Sequence, residues 1–222
     1  MFQGPFSESI VKRAIEDKYI QLNFIQIRDF GIGKHQEVDD RPFGGGIGMV
    51  MRVDVLEKAI EKTRIPGKKE KVILLSAKGQ TFTQQMSMSF AKLDHLILIC
   101  GHYEGVDERI LHFIDGQVSI GDFIVTGGEI PSMLIIDAVT RLIPGVLKSG
   151  ATEHESFSKL VTNDSKAYLE YPQYTRPDTF KKLHVPDILL SGNHKEIQLW
   201  REKEAKRVTK VNRPDLLVKK NS

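Results

Sequence analysis

Apolar residues recur along this chain at two spacings, and the alternation between them lays out the fold. Val72 to Leu75, Leu96 to Cys100 and Phe123 to Val125 are short uninterrupted apolar runs, the pattern of strands buried on both faces. Each runs into a turn containing glycine: Ser76-Ala77-Lys78-Gly79, Gly101-His102-Tyr103-Glu104-Gly105 and Thr126-Gly127-Gly128-Glu129. Between and after them, apolar positions return at helical spacing. Met86 and Phe90 form one set, Val106, Ile110, Leu111 and Ile114 a second, and Leu134, Ile135, Ala138, Val139 and Leu142 a third, which Pro131 opens and Pro144-Gly145 ends. Strands alternating with helices predict an α/β fold with a parallel sheet. Ligands gather at the carboxyl ends of such strands, so three glycine turns at those ends predict a small-molecule site.

The first seventy residues are less regular. Ser7 is placed to cap a helix carrying Ile10, Val11, Ala14 and Ile15 on one stripe, and Ile20, Leu22 and Phe24 alternate with polar neighbours as a strand does. Asp54 and Glu57 make a capping-box pattern for a helix that runs to about Arg64, before Pro66-Gly67. Residues 148–170 are polar and largely aperiodic and read as a linker between a first domain, 1–147, and a small helical one, 171–222. In the latter, Ser191 or Asn193 can cap a helix bearing Ile197 and Trp200.

Charge changes this picture only locally. The chain of 222 residues has a formal net charge of +3, but residues 195–220 hold nine Lys/Arg against four acids. A basic module on a near-neutral body suits contact with a polyanion, and a solvated helix face gives the same count. The single cysteine, Cys100, cannot form an intrachain disulfide and lies in an apolar run, as a buried inert thiol does. A reducing, cytoplasmic setting fits. No secretory leader pattern and no membrane-spanning apolar stretch is apparent. The seven histidines and the cysteine show no metal-ligand spacing, so no metal site is expected.

Two glycine-rich stretches are candidates for chemistry. Gly44, Gly45, Gly46 and Gly48 follow Asp39-Asp40-Arg41-Pro42. Met49 stands where the last glycine of a dinucleotide fingerprint belongs, and no Gly-Lys-Ser/Thr follows, so both nucleotide-loop readings fall and a substrate loop or a plain turn remains. The second, SIGDFIVTGGEIP from Ser119 to Pro131, is either a ligand-binding turn or a tight strand-to-helix connection.

That second stretch resembles the signature of the bacterial tRNA (guanine-N1)-methyltransferases, the TrmD family of the SPOUT class. VDDRPFGGGIGMVM (Val38 to Met51), LLSAKGQTF (Leu74 to Phe82), ICGHYEGVDERI (Ile99 to Ile110), YPQYTRP (Tyr171 to Pro177) and LLSGNHKEIQLWR (Leu189 to Arg201) are similar to the family's other motifs, in the same order. The resemblance implies a deep trefoil knot, S-adenosylmethionine as methyl donor, tRNA as substrate, a homodimer whose sites use both subunits, and possible magnesium assistance. Rival readings within it are an enzyme for another RNA position and an inactive RNA-binding relative. Members carry a strand of the form ISLFPEMF ahead of the first helix; only Met1-Phe2 of it stands here, so the expectation is a start placed too late.

By the same resemblance the donor is held by Leu75, Ser76, Gly101, Tyr103, Glu104, Ile120, Gly121, Phe123, Ile124, Val125, Gly127, Gly128 and Pro131, largely through main chain. Asp40, Gly46, Gly48, Ser156 and His194 would meet the substrate. Methylating guanine N1 requires removal of its proton and a cation for the charge that develops toward O6. The family has an aspartate before a Ser-Phe pair as base; Glu155 stands at that position, with Glu153 the alternative, and Arg141 would neutralise O6 or position the base. Ala77 replaces a proline common in the family, which loosens that turn.

Overall fold

The computed structural model describes residues 1–153, 155–158 and 168–218. The chain divides into two compact units, Met1–Leu147 and Lys148–Ser222. His154, residues 159–167 of the polar linker, with Asn163, Asp164 and Ser165, and the basic residues Lys219 and Lys220 lie outside the described residues.

In the first unit, two small helices, α1 (Gln3–Phe6) and α2 (Ser9–Glu16), are followed by a 3₁₀ turn (Ile27–Phe30), the short antiparallel pair β1 (Asp39–Asp40) and β2 (Val50–Met51), and helix α3 (Val53–Thr63). Then come β3 (Glu70–Thr81), α4 (Gln84–Phe90), β4 (His95–Cys100), a 3₁₀ turn (Glu108–His112), β5 (Gly116–Ser119) and α5 (Glu129–Thr140). The last three strands form a parallel sheet in the order β4-β3-β5. The α/β parallel architecture is therefore present.

β3 is the central strand, and its apolar run shows why: successive side chains point to opposite faces. Val72 and Leu74 pack on one side with Leu56 and Ile60 of α3, Ile99 and Ile110. Ile73 and Leu75 pack on the other with Phe90 of α4, Val118, and Ile135 and Val139 of α5. Burying each such side chain is worth about 1.5–3 kcal/mol, so a strand covered on both faces becomes a continuous apolar run.

Several expectations need correction. Ser7 does not cap α2; its Oγ donates to Gly4 O at 2.9 Å and closes α1, while Glu8 holds the N-cap position without a side-chain cap. Residues 20–24 form no strand, because Phe24 is drawn into a ring stack with Phe2, centroids 4.8 Å apart. Asp54 is not a capping-box residue: it lies inside α3 and receives Arg52 Nη2 at 2.9 Å and Nε at 3.1 Å. The helix around Val106–Ile114 is the 3₁₀ turn Glu108–His112 alone. Phe123–Val125 is not a strand; the third strand is Gly116–Ser119, and residues 120–128 form an irregular loop.

The second unit holds the β6–β7 hairpin (Thr179–Phe180 and Leu183–His184), the short α6 (Asp187–Leu190), the long α7 (His194–Asn212) and a closing 3₁₀ turn (Pro214–Leu217). Asn193 caps α7, its Oδ1 accepting the Glu196 N–H at 3.3 Å. Thr209, fully buried on α7, accepts the Leu169 N–H at 2.8 Å and donates to Ala205 O at 2.7 Å. Arg201 lies 4.9 Å above the Tyr171 ring, and Trp200 contacts Tyr174.

Candidate active site

The middle of β3, the carboxyl end of β4 and the loop after β5 surround a cavity of about 280 Å³. Its floor is apolar, with Leu74, Leu75, Ile110 and Val118 from the strands and the turn beneath; its walls are residues 76–78 and the loops 101–105 and 120–128. The expected turn after Leu75 is not a strand end: β3 continues to Thr81, and 76–79 are a register shift within it. Of the thirteen donor-binding residues expected from sequence, twelve line this cavity. Gly121 stands just outside and shapes the loop. At its φ of +149° a side chain would be strained, and an added Cβ would meet the Phe123 ring at 2.7 Å. Ser119 Oγ closes that bend, accepting the Gly121 N–H at 3.2 Å and donating to Gly121 O at 3.0 Å.

Close passage of main chain explains the glycine at 128. A Cβ on Gly128 would sit 2.5 Å from Cys100 Cα and 2.9 Å from Gly101 N. With no side chain there, Gly128 N–H donates to Gly101 O at 2.9 Å and joins the loop to the end of β4. In the turn between, Tyr103 takes a left-handed φ of +59°, unusual for a residue with a Cβ and a feature that gathers at ligand sites. Burial pushes the Cys100 thiol up, away from thiolate, and its Sγ lies 3.5 Å from Ser132 Oγ. Both facts suit a packing role rather than a nucleophile.

The glycine-rich loop is fastened to the same wall. Gly44, Gly45, Gly46 and Gly48 all have positive φ, from +81° to +124°, a path that requires glycine. At its exit, Met51 N–H donates to Gly105 O at 2.9 Å, Asp107 N–H to Met51 O at 3.0 Å and Glu104 N–H to Met49 O at 3.1 Å. The Glu104 side chain lies against Gly48, where a Cβ would come within 2.6 Å of its Cγ. Phe43 and Ile47 at the loop's crest are almost wholly exposed. Asp40 is also exposed and accepts the Arg41 N–H at 2.7 Å.

Arg141, half-buried, follows the last turn of α5, its N–H donating to Asp137 O at 3.3 Å. In the second unit, Glu155 and Ser156 open a turn that Ser158 closes by donating from Oγ to Glu155 O at 2.6 Å. Ser156 Oγ accepts the Glu170 N–H at 2.9 Å, and Phe157 has φ +69°. Glu153 is exposed, and His194 is the exposed first residue of α7. Among the described residues no group of three His, Cys, Asp or Glu is placed to hold a metal ion, and no helix is long and apolar enough to cross a membrane.

Two polar pairs at the cavity are not apparent from sequence. Lys78 Nζ meets Glu108 Oε2 at 3.0 Å, and His102 Nε2 meets Glu129 Oε1 at 2.6 Å. Each joins residues some thirty positions apart, a proximity that no local spacing signals. The only cue was the chemistry of polar side chains beside strand-end glycines.

The family model for tRNA (Guanine-1)-methyltransferase TrmD matches residues 1–219. The protein named tRNA (guanine-N(1)-)-methyltransferase of Caldanaerobacter subterraneus subsp. tengcongensis is 50% identical over 222 residues, covering 100% of this chain and 89% of its own. The proteins of the same name from Carboxydothermus hydrogenoformans and Dictyoglomus turgidum are each 50% identical, over 98% and 99% of this chain and 83% and 86% of theirs. With the site's turns assembled and the match running through both units, this chain belongs to the tRNA (guanine-N1)-methyltransferase family, TrmD.

Proposed function

We propose that the protein transfers a methyl group from S-adenosylmethionine to N1 of guanosine 37 in tRNA. The observation that carries this reading is the convergence of the β3 bulge and the loops after β4 and β5 on one cavity in a chain that the family matches over residues 1–219. The cavity fits the donor's chemistry: its apolar floor suits an adenine ring, and Gly101, Gly127 and Gly128 bring main chain to its edge. S-adenosylmethionine would supply an electrophilic methyl group there, held by Leu75, Ser76, Gly101, Tyr103, Ile120, Val125 and the Gly127-Gly128 turn.

The remaining chemistry belongs to the chain's own side chains. Glu155 takes the N1 proton and Arg141 compensates the charge that develops toward O6. Asp40, Gly46, Gly48, Ser156 and His194 hold the nucleotide, which must leave its stack to be reached. In this reading the segments around Leu75, Gly101 and residues 119–128 belong to a trefoil knot, the enzyme is a cytoplasmic homodimer in which both copies complete each site, and α7 contributes to tRNA contact. Magnesium assistance is part of the same reading, with no ligands assigned.

Methyl transfer to tRNA with guanosine or adenosine at position 37, with and without magnesium, tests it. Transfer is expected only to the guanosine form, and Glu155→Gln should lower the single-turnover rate by about 10²–10⁴-fold. Full rate in that variant would overturn Glu155 as base, and equal transfer to the adenosine form would overturn the target.

A further inference from the structure

The loop 120–128 supplies seven of the residues that line the donor cavity yet has no regular secondary structure, so something outside it must fix its position. Two contacts join its far end to the turn after β4. One is main chain, Gly128 N–H to Gly101 O at 2.9 Å. The other is the His102 Nε2–Glu129 Oε1 hydrogen bond at 2.6 Å, at the short end for a nitrogen–oxygen pair. The pair is half-sheltered, with 39% of the His102 side chain and 19% of the Glu129 side chain exposed.

Its two ends are anchored differently. His102 sits in the cavity wall beside Tyr103, whose ring is 5.9 Å away, whereas Glu129 opens α5 and its main-chain oxygen accepts Ser132 Oγ at 2.7 Å. Gly127 lies directly beneath: a Cβ there would meet Glu129 Oε2 at 2.6 Å and His102 Cε1 at 2.7 Å. The pair therefore fills the space that a side chain at 127 would occupy, and it bridges the two turns that must both touch a bound donor.

We propose that His102 and Glu129 are a positioning pair that holds the Gly127-Gly128 wall against the Gly101–Tyr103 turn and so sets donor affinity. The pair rests on the reading of this cavity as the S-adenosylmethionine site, and neither residue is assigned contact with the reacting atoms. A hydrogen bond to a charged group contributes enough that its loss should read as about tenfold in affinity.

Calorimetry with S-adenosylhomocysteine on the full chain tests it through a double-mutant cycle. His102→Phe and Glu129→Met keep volume but remove the hydrogen bond; each should weaken binding about tenfold, and the double variant no more than either single. His102→Arg, which can still donate to the carboxylate, should bind within a few-fold of the unaltered chain, a rescue that mere cavity filling would not give. Unchanged affinity in both singles, or losses that multiply in the double, would overturn the pair. If His102→Phe fails to fold, adding Glu129→Met to His102→Arg decides: about a tenfold loss supports the pair and none sinks it. Failure of the unaltered chain to bind would instead overturn the donor site itself.

Discussion

Glycines at this site differ in what they tolerate, and the difference separates folding from binding. At Gly128 the atoms in the way of a Cβ are main chain, Cys100 Cα at 2.5 Å and Gly101 N at 2.9 Å, which no rotamer change can move. At Gly101 the nearest atoms are 3.5 to 4.0 Å away, ordinary van der Waals distances. Gly128→Ala should therefore push the loop from β4, destabilise the first unit by about 1–3 kcal/mol and abolish measurable S-adenosylhomocysteine binding. Gly101→Ala should leave the thermal midpoint within a degree or two while weakening the donor, because its methyl group faces the cavity wall. Thermal unfolding of the two variants side by side checks this; equal midpoints would mean that the chain crossing at Gly128 is looser than the structure shows.

At the scale of elements, β3 combines two tasks that its sequence discloses unequally. Its first half pairs with both neighbours in simple register, Leu75 facing Cys100 on one side and Val118 on the other. The register then slips, so that Gln80 faces Val118 again, and of the residues in the slip Ser76, Ala77 and Lys78 line the cavity. Gly79 passes so near β5 that a Cβ would lie 2.4 Å from Val118 N, so Gly79→Ala is expected to unfold the sheet's carboxyl end and the site together, measured as parallel loss of thermal stability and ligand binding. The apolar runs of β3 and β4 were legible because burial on both faces leaves a plain signal. The third strand was not: GQVS is half polar, whereas Phe123–Val125 next to it is apolar yet exposed, since its side chains line a cavity rather than a core. Apolar content reports burial against something, and a ligand serves as well as a helix. The same ambiguity hid Ile20–Phe24, where ring stacking on Phe2 competes with strand pairing.

The opposite end of the sheet carries a stability device of its own. Burial alone would raise the Glu70 carboxyl, but hydrogen bonds from the Ile65 N–H, His95 and Arg64 outweigh it and hold the group below its ordinary value of 4.5. Arg64 Nη1 lies 2.6 Å and His95 Nδ1 3.1 Å from its oxygens, so the clasp ties the end of α3 to the starts of β3 and β4. A carboxyl with a depressed folded pKa contributes stability that is fully present above the unfolded value and is lost as pH falls through the folded one. Urea midpoints should thus drop on acidification below about pH 4.5 more steeply in the unaltered chain than in Glu70→Gln, which has lost that contribution at every pH. Parallel curves would assign the acid sensitivity to other groups.

In the function proposed above, donor chemistry and polyanion attraction fall to different units, and this allows them to be separated by experiment. The cavity draws its walls from residues 74–131 of the first unit, while α7 of the second carries six Lys/Arg against three acids. On that helix Lys203, Lys206 and Lys210 are exposed and spaced to share one face, away from the buried Thr209. Neighbouring arginines are partly committed to acids, as Arg207 is to Glu204 at 2.8 Å, so the lysines are the better candidates for binding phosphates. Removing one lysine–phosphate interaction should reduce the slope of log affinity against log salt by about 0.7–0.9. Lys203→Ala, Lys206→Ala and Lys210→Ala combined are therefore expected to weaken tRNA binding and flatten its salt dependence by up to about two to three units, while S-adenosylhomocysteine affinity stays unchanged. An unaltered salt slope would mean that α7 presents a solvated face and that tRNA is gripped elsewhere.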